Sequence, residues 1–187
     1  MSDSKHVVLG VSGSIAAHKA IDLASLLTKA HCTVDVVMTR GALQFVKPLP
    51  FQTLTRRRVI TDLFDEMETD VTHIQAADAA DLLLLAPATA NTLAKMACGL
   101  SDDALSCVAL ALRPKARVLV APAMNGRMWE HPATVSNVKI LKNRGMEFIG
   151  PDKGMLSCGY DGIGRLWPVE EIAERVMSMF GMNSANP

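Results

Sequence analysis

Short apolar runs alternate with segments of helical periodicity along this chain, and that alternation constrains its fold more than any other feature. Residues 6–11, 33–38, 81–86 and 118–121 have the length and the Val- or Leu-rich composition of buried strands. Between the first two runs, residues 15–29 repeat apolar side chains at helical spacing. A strand, a helix and a second strand within about 35 residues make a crossover unit whose strands run parallel. The pattern therefore predicts a doubly wound α/β domain with a parallel sheet.

The remaining segments predict further helices and two less regular stretches. Helices are expected over 72–80, 103–112, 131–144 and 168–180, another after the loop 87–92, and a last strand over 146–149. Gly145 suits the end of one of these helices, and Pro168 suits the start of another. Residues 41–68 show no clear periodicity, while 150–165 contain five glycines and are expected to form a loop or flap.

Charge and cysteine content exclude several classes of protein. The 187 residues contain 19 basic and 19 acidic side chains without a basic block, which argues against a nucleic-acid partner. No apolar run approaches the roughly 18 residues of a membrane span, and the first residues lack the pattern of a signal peptide. The four cysteines show no CxxC spacing, so we expect no metal cluster, no disulfide framework and a cytoplasmic location.

The loop 122–129, directly after the apolar run 118–121, concentrates reactive and polar groups. It contains the amide of Asn125, the guanidinium of Arg127, two thioethers and an indole. Ligands of open parallel sheets bind beyond the carboxyl ends of the strands. This loop is therefore predicted to form a binding site together with the loops 12–15, 39–42 and 86–92. The alternative is an ordinary strand-to-helix connection whose methionines and tryptophan cover the core.

The loop after the first strand has the features of a site for a single phosphate. Ser12 stands where the dinucleotide fingerprint has its second glycine, and the Gly-Lys-Ser/Thr sequence of a P-loop is missing. Hydroxyls and backbone N–H groups at a helix start remain, and Thr39 and Thr89 are further hydroxyl donors. A mononucleotide is therefore expected rather than a dinucleotide. The alternative role for Ser12 and Ser14 is helix capping.

Two titratable residues are candidates for proton transfer. His73 opens a short helix just before a buried strand, a position where a lone histidine is more often structural. Cys158 lies in the glycine-rich stretch, where a thiol is expected to be accessible and able to exchange a proton.

Together these motifs resemble the homo-oligomeric, flavin-containing cysteine decarboxylase family. The residues that carry the resemblance are Gly13-Ser14-Ile15-Ala16, His73, 87–92 (PATANT), 122–129 (PAMNGRMW), and Cys158-Gly159 with Gly162, Gly164 and Arg165. Their order and spacing match from Val7 to about Val176. The resemblance implies a Rossmann- or flavodoxin-like flavoprotein with FMN across the strand ends.

The resemblance also implies which residues bind the cofactor and the substrate. FMN contacts are implied at Gly13, Ser14, Ile15, Thr39, Phe45, Ala88, Thr89, Ala90, Asn91 and Ala123. Substrate contacts are implied at Met124, Asn125 and Arg165, where Arg165 holds either the flap or the substrate phosphate. Residues 1–187 would form a single FMN-binding domain, with 150–167 as the substrate flap and 182–187 as a disordered tail.

Within that family, the motifs are nearest to the branch that converts (R)-4'-phospho-N-pantothenoylcysteine to 4'-phosphopantetheine in coenzyme A biosynthesis. The implied chemistry is oxidation of the thiol to a thioaldehyde, loss of CO2 and reduction of the ene-thiolate. In it, His73 is a base or positioning group, Asn125 holds the substrate carboxylate and Cys158 donates a proton.

The family also implies an assembly and leaves alternatives open. Its members are homotrimers or dodecamers of trimers, so His73 is expected to serve a neighbouring subunit's flavin. Bacterial relatives are often fused to a synthetase, and the chain is either a stand-alone enzyme or one domain of such a fusion. The alternatives are a peptidyl-cysteine decarboxylase, which Cys158-Gly159 disfavours, an inactive flavin-binding regulatory subunit, a flavin prenyltransferase, or an unrelated nucleotide-binding protein.

Overall fold

Six parallel strands form the central sheet of the chain, which a computed structural model describes over residues 4–64, 72–155, 159 and 161–182. The strands of this sheet are β1 His6–Val11, β2 Thr33–Met38, β3 Val59–Ile60, β4 Leu82–Ala88, β5 Arg117–Pro122 and β6 Glu147–Phe148. Their spatial order is β3-β2-β1-β4-β5-β6, and every pair is parallel. This is the Rossmann order. Successive strands are added toward one side of the sheet from β1 to β3 and toward the other side from β4 to β6, so the strand order reverses between β1 and β4. The prediction of a doubly wound α/β fold is confirmed.

Helices cover both faces of the sheet. Within the described residues they are α1 Lys19–Lys29, α2 Pro48–Thr55, α3 Thr72–Ala79, α4 Ala90–Cys98, α5 Ala104–Ala111, α6 Gly126–Glu130, α7 Pro132–Asn143 and α8 Val169–Met179. A short 3-10 helix, Ile15–His18, precedes α1.

Two hydrophobic clusters, one on each face, hold the layers together. Along β1, Val7, Leu9 and Val11 belong to the cluster that contains α1 and α8, whereas Val8 belongs to the one that contains α3, α4 and α5. Every residue of β4 is buried. A parallel strand covered on both faces has no polar side, which is why these runs are continuously apolar in the sequence.

Residues 41–64 are more regular than the sequence indicated. They contain α2 and the two-residue strand β3. Pro48 is the first residue of α2. An N–H at this position has no acceptor within the helix, so a proline loses no hydrogen bond there. The prolines in this stretch therefore start a helix rather than exclude one. β3 is too short to show a periodic pattern.

The glycine-rich stretch after β6 is also more regular than a loop. β7 Asp152–Met155 and β8 Asp161–Arg165 pair as an antiparallel hairpin, called the flap hairpin below. Gly154 pairs with Gly162 in its register. Main-chain hydrogen bonds build this hairpin with few apolar side chains, so the period of two that reveals a strand is missing from the sequence.

Candidate functional site

A cleft of about 1190 Å³ lies beyond the carboxyl ends of β1, β2, β4 and β5. Its walls are the segments that follow these four strands, together with the flap hairpin and the first turn of α1. Pockets for one small molecule usually measure roughly 300–1,000 Å³. The cleft therefore has room for more than one small ligand, and all four loops predicted to converge contribute to it.

Most residues predicted to bind the cofactor line this cleft, and three do not. Those in its wall are Gly13, Ser14, Ile15, Thr39, Thr89, Asn91 and Ala123. Ala88 is fully buried at the end of β4, where its side chain belongs to the core, and Ala90 is the first residue of α4. Phe45 follows a short 3-10 helix and is 48% exposed, outside the wall of the cleft.

Ser12 connects two of the converging loops instead of facing a ligand. Its side chain is buried, its Oγ donates to the carbonyl oxygen of Pro87 at 2.7 Å, and it accepts from the backbone N–H of Thr89 at 2.9 Å. The hydroxyl therefore uses its proton as a donor and its oxygen as an acceptor within the protein. Ser12 fixes the loop after β1 against the loop after β4.

Backbone N–H groups form a cradle for an anion at the start of the 3-10 helix. A Cβ at Gly13 would lie 2.8 Å from the carbonyl carbon of Gly41, so only glycine permits this approach of two chain segments. In the described part of the chain, the backbone N–H groups of Gly13 and Ile15 have no acceptor. Arg40 lies in the wall beside them. Donors at a helix start and a nearby guanidinium suit a phosphate.

Ser14 combines a structural role with a place in this cradle. Its Oγ accepts from the backbone N–H of Ala16 at 3.3 Å, as the capping alternative predicted. Thr39 Oγ1 similarly accepts from Ala42 N at 3.2 Å. A hydroxyl that accepts one hydrogen bond still carries its own proton. Capping and donation to a phosphate are therefore compatible at both positions.

The loop after β5 presents an amide with a fixed orientation. Asn125 is the N-cap of α6, and its Oδ1 accepts from the backbone N–H of Arg127 at 2.9 Å. Because a backbone N–H needs an oxygen acceptor, this contact assigns which end of the amide is Oδ1. The NH2 group is then the end that can donate to a ligand in the cleft.

The flap hairpin is attached to the same loop. The backbone N–H of Met124 donates to the carbonyl oxygen of Gly164 at 3.0 Å. A Cβ at Gly164 would collide with the carbonyl oxygen of Met124 and lie 3.3 Å from the N of Gly126. The glycine therefore lets β8 lie directly on the loop that carries Asn125. Met124, Asn125 and Arg165, the residues predicted to contact substrate, all line the cleft.

A charged cluster in the wall was not predicted. Lys95 Nζ lies 2.6 Å from Asp102 Oδ1 and 2.7 Å from Asp103 Oδ2. Burial alone would raise the pKa of the Asp103 carboxyl, but hydrogen bonds from Lys95 and Ser106 hold it below its ordinary value. In the sequence, Asp102-Asp103 resembles an ordinary helix cap. Only its place between the helix that carries Lys95 and the next helix could have suggested an ion pair with Lys95. His18, Lys19 and Arg40 also line the cleft and were not predicted.

The structure describes one of the other two residues predicted to be catalytic. His73 is half-buried on the first turn of α3 and does not line the cleft. Cys158 lies outside the described residues, as do residues 183–187 of the disordered tail predicted over 182–187. Of His73 and Asn125, the two predicted catalytic residues that the structure describes, Asn125 alone lines the cleft.

Two kinds of feature are absent from the described residues. No group of His, Cys, Asp and Glu side chains there is arranged to hold a metal ion. None of the helices in that part of the chain is long and apolar enough to cross a bilayer.

Comparison with protein families and curated relatives identifies similar proteins over the whole chain. A family model described as Flavoprotein matches residues 1–181. The "Coenzyme A biosynthesis bifunctional protein CoaBC" of Bacillus subtilis (strain 168) is 45% identical over 188 residues, which is 100% of this chain and 46% of that protein. The chain thus spans about half the length of this bifunctional relative. The "Probable phosphopantothenoylcysteine decarboxylase" of Streptococcus mutans is 44% identical over 92% of this chain and 97% of that protein.

Solved structures with the same fold include a decarboxylase and an FMN-binding protein. A mutant PPC decarboxylase complexed with pantothenoylaminoethenethiol superposes with a TM-score of 0.85 at 31% identity, covering 95% of this chain and 99% of that one. The FMN binding protein AtHal3 superposes with a TM-score of 0.82 at 32% identity, covering 95% and 97%.

Proposed function

The chain belongs to the flavoprotein family, and from this we propose that it catalyses FMN-dependent decarboxylation of (R)-4'-phospho-N-pantothenoylcysteine to 4'-phosphopantetheine. The observation that carries the proposal is the similarity to the Streptococcus mutans relative along nearly all of both chains. The cleft supports it because a phosphate cradle and an oriented amide lie in one space large enough for a cofactor and a substrate. The reaction belongs to coenzyme A biosynthesis, and we place the enzyme in the cytoplasm.

The residues at the strand ends fit FMN. Its phosphate would be held by the backbone N–H groups of Gly13 and Ile15, the hydroxyls of Ser14 and Thr39, and the guanidinium of Arg40. Small side chains at Thr89 and Ala123 leave space for a flat ring against the strand ends. When bound, FMN supplies a reversible two-electron acceptor, so the decarboxylation needs no net redox change.

Asn125 would hold the substrate carboxylate through its NH2 group. The contact with Arg127 fixes the amide before substrate binds, so little side-chain freedom is lost on binding. A neutral donor holds a carboxylate less tightly than a cation does, which allows release of the group as CO2.

His73 and Cys158 would manage protons in this proposal. His73 would accept the proton of the substrate thiol, and it would do so in a neighbouring subunit because it does not line the cleft of its own chain. Cys158 would donate a proton to the ene-thiolate carbon. We accordingly propose a homotrimer or a dodecamer of trimers with sites shared between subunits.

One experiment tests the proposed reaction against its nearest alternative. The purified chain is examined for a bound flavin by its absorption spectrum, and CO2 release is then followed with phosphopantothenoylcysteine and with a peptide ending in cysteine. We expect a flavin spectrum and rapid CO2 release from the phosphopantothenoyl substrate alone. Faster release from the peptide would replace this function by peptidyl-cysteine decarboxylation. Bound flavin without turnover of either substrate would favour a regulatory subunit.

A further inference from the structure

Arg165 lies across the flap hairpin, over Gly154 of the opposite strand. A Cβ built on Gly154 would overlap Arg165 Nη1 and lie 3.1 Å from its Cδ and 3.3 Å from its Cζ. The side chain of Arg165 therefore passes directly above the Cα of Gly154. Gly154 also has φ +150°, a conformation that residues with a Cβ rarely adopt. The backbone at this position favours glycine, and a Cβ there would displace the Arg165 side chain.

This arrangement holds an uncompensated positive charge at the wall of the cleft. Arg165 lines the cleft and makes no ion pair or hydrogen bond with its side chain in the described part of the protein. Lys95, in contrast, is neutralised by Asp102 and Asp103. Because the backbone N–H of Met124 donates to Gly164 of β8, the backbone beside Arg165 is held against the loop that carries Asn125.

Arg165 is at the opposite side of the cleft from the phosphate cradle. The cradle follows β1 and β2, whereas the flap hairpin rests on the loop after β5. β4 separates β1 from β5 in the sheet. At roughly 5 Å per strand spacing, the two ends are roughly 10 Å or more apart. A phosphate bound in the cradle therefore leaves the Arg165 guanidinium free for a second anion.

We propose that Gly154 positions Arg165 to bind the phosphomonoester of the substrate, and that this pair sets the preference for a phosphorylated over an unphosphorylated substrate. The inference rests on the proposed function, because it concerns the same cleft. A planar guanidinium binds two phosphate oxygens at once, which gives both affinity and a fixed direction. Gly154 itself touches no ligand, so it is a positioning residue that acts through Arg165.

The test compares binding of 4'-phosphopantetheine and pantetheine to the FMN-loaded protein by calorimetry, alongside KM and kcat for the two corresponding cysteine substrates. We expect Arg165→Met to lower the preference for the phosphorylated ligand roughly 10- to 100-fold, because a charge-assisted hydrogen-bonded pair is lost. Gly154→Ala should lower it in the same direction by raising KM with little change in kcat. The double variant should be no worse than Arg165→Met, because residues that act through one contact are not additive.

Two control variants separate this role from general damage to the hairpin. Lys153→Met removes a cation from β7 of the same hairpin, at an exposed position outside the wall of the cleft. Gly145→Ala imposes similar backbone strain at φ +87°, where an added Cβ has no neighbour within 4 Å. Both should keep the preference of the unaltered protein.

Several outcomes would overturn the proposal. An equal loss with both ligands would assign Arg165 to the carboxylate or to the hairpin, and weaker FMN binding by Arg165→Met would assign it to the cofactor phosphate. Additive losses in the double variant would show that Gly154 acts independently. If Gly154→Ala does not fold, Arg165→Met alone decides whether Arg165 binds the phosphate, and an unchanged preference for the phosphorylated ligand refutes the proposal. Since the calorimetric comparison needs no turnover, it separates failure of this inference from failure of the proposed reaction.

Discussion

The N-cap of α6 links the local structure of Asn125 to the chemistry proposed for it. The Oδ1 atom satisfies the backbone N–H of Arg127, and the NH2 group is the end that can donate to a carboxylate. Aspartate caps a helix as well as asparagine does, but it has no N–H to donate. Replacing one by the other therefore separates folding from binding at this position.

We predict that Asn125→Asp folds normally and loses activity. Its free energy of unfolding should change by less than about 0.5 kcal/mol because the cap is kept. Turnover measured as kcat/KM should fall by roughly 100-fold or more, because a donor is lost and a like charge is placed beside the substrate carboxylate. Asn143→Asp, the same change at an exposed helix end, is the control. Normal turnover by Asn125→Asp would disprove the carboxylate-holding role.

The part of the site made by short loops could be predicted from residue types, and the part made by long-range contacts could not. Gly13, Thr89 and Asn125 lie within about three residues of a strand end, so their convergence follows from a parallel sheet alone. The approach of Lys95 to Asp103 depends on how α4 and α5 pack, which no local pattern specifies. Arg165 was predicted at the cleft, but its position over Gly154 depends on a hairpin that the sequence did not indicate.

Among the elements, α5 depends on a cap that also anchors α4. Asp103 Oδ1 accepts from the backbone N–H of Ser106 at 2.8 Å, and Ser106 Oγ accepts from the backbone N–H of Asp103 at 3.2 Å. Lys95 of α4 pairs with the same carboxylate. A capping box of this kind satisfies two backbone donors that would otherwise lack a partner at the helix start.

We predict that Asp103→Ala lowers the free energy of unfolding by about 1–2 kcal/mol, the usual loss for a capping aspartate. Asp102→Ala is the matched control, because this side chain is 66% exposed and does not cap the helix. Its effect should stay within about 1 kcal/mol, as for surface ion pairs. Urea denaturation at neutral pH measures both. Equal losses would mean that the ion pairs, and not the cap, stabilise this corner of the cleft.

For the whole molecule, stability in acid should depend on the carboxylate of Asp35, which is buried in the sheet outside the cleft. Asp35 on β2 contacts His6 of β1 at 2.6 Å and Arg57, so one carboxylate joins β2 to β1 and to the segment that precedes β3. Burial alone would raise the pKa of Asp35, but hydrogen bonds from His6 and Arg57 hold it below its ordinary value. The folded state therefore binds this proton less readily than the unfolded chain does.

We predict that the stability contributed by Asp35 is fully present above its unfolded pKa of about 3.9 and is lost as pH falls through the lower folded value. The difference in unfolding free energy between the unaltered protein and Asp35→Asn should be largest at neutral pH and should shrink below about pH 4. Asp78→Asn, at an exposed position on α3, is the control and should leave the pH profile unchanged. A pH-independent difference for Asp35→Asn would contradict the prediction.

The proposed chemistry needs His73, which a single chain does not bring to its own cleft. His73 lies on α3 outside the cleft, and apolar side chains are exposed on that helix and on α5, which packs against it: Ile74 is 40% exposed and Leu110 is 61% exposed. If neighbouring subunits supply His73 to each other, then an active site combines Asn125 from one chain with His73 from another.

We therefore predict that two inactive variants complement each other. Purified separately, His73→Asn and Asn125→Asp should each bind FMN and fail to turn over. Co-expressed with different affinity tags, they should form mixed oligomers. In a trimer, a closed ring pairs each chain with one neighbour, so one of the three sites of each mixed ring carries both unaltered residues, or about a quarter of the sites when unmixed rings are included. Activity of the doubly tagged fraction, with its mass measured by light scattering, reads this out directly. Mixed oligomers without activity would mean that His73 and Asn125 do not meet across subunits, and monomers in solution would remove the shared site altogether.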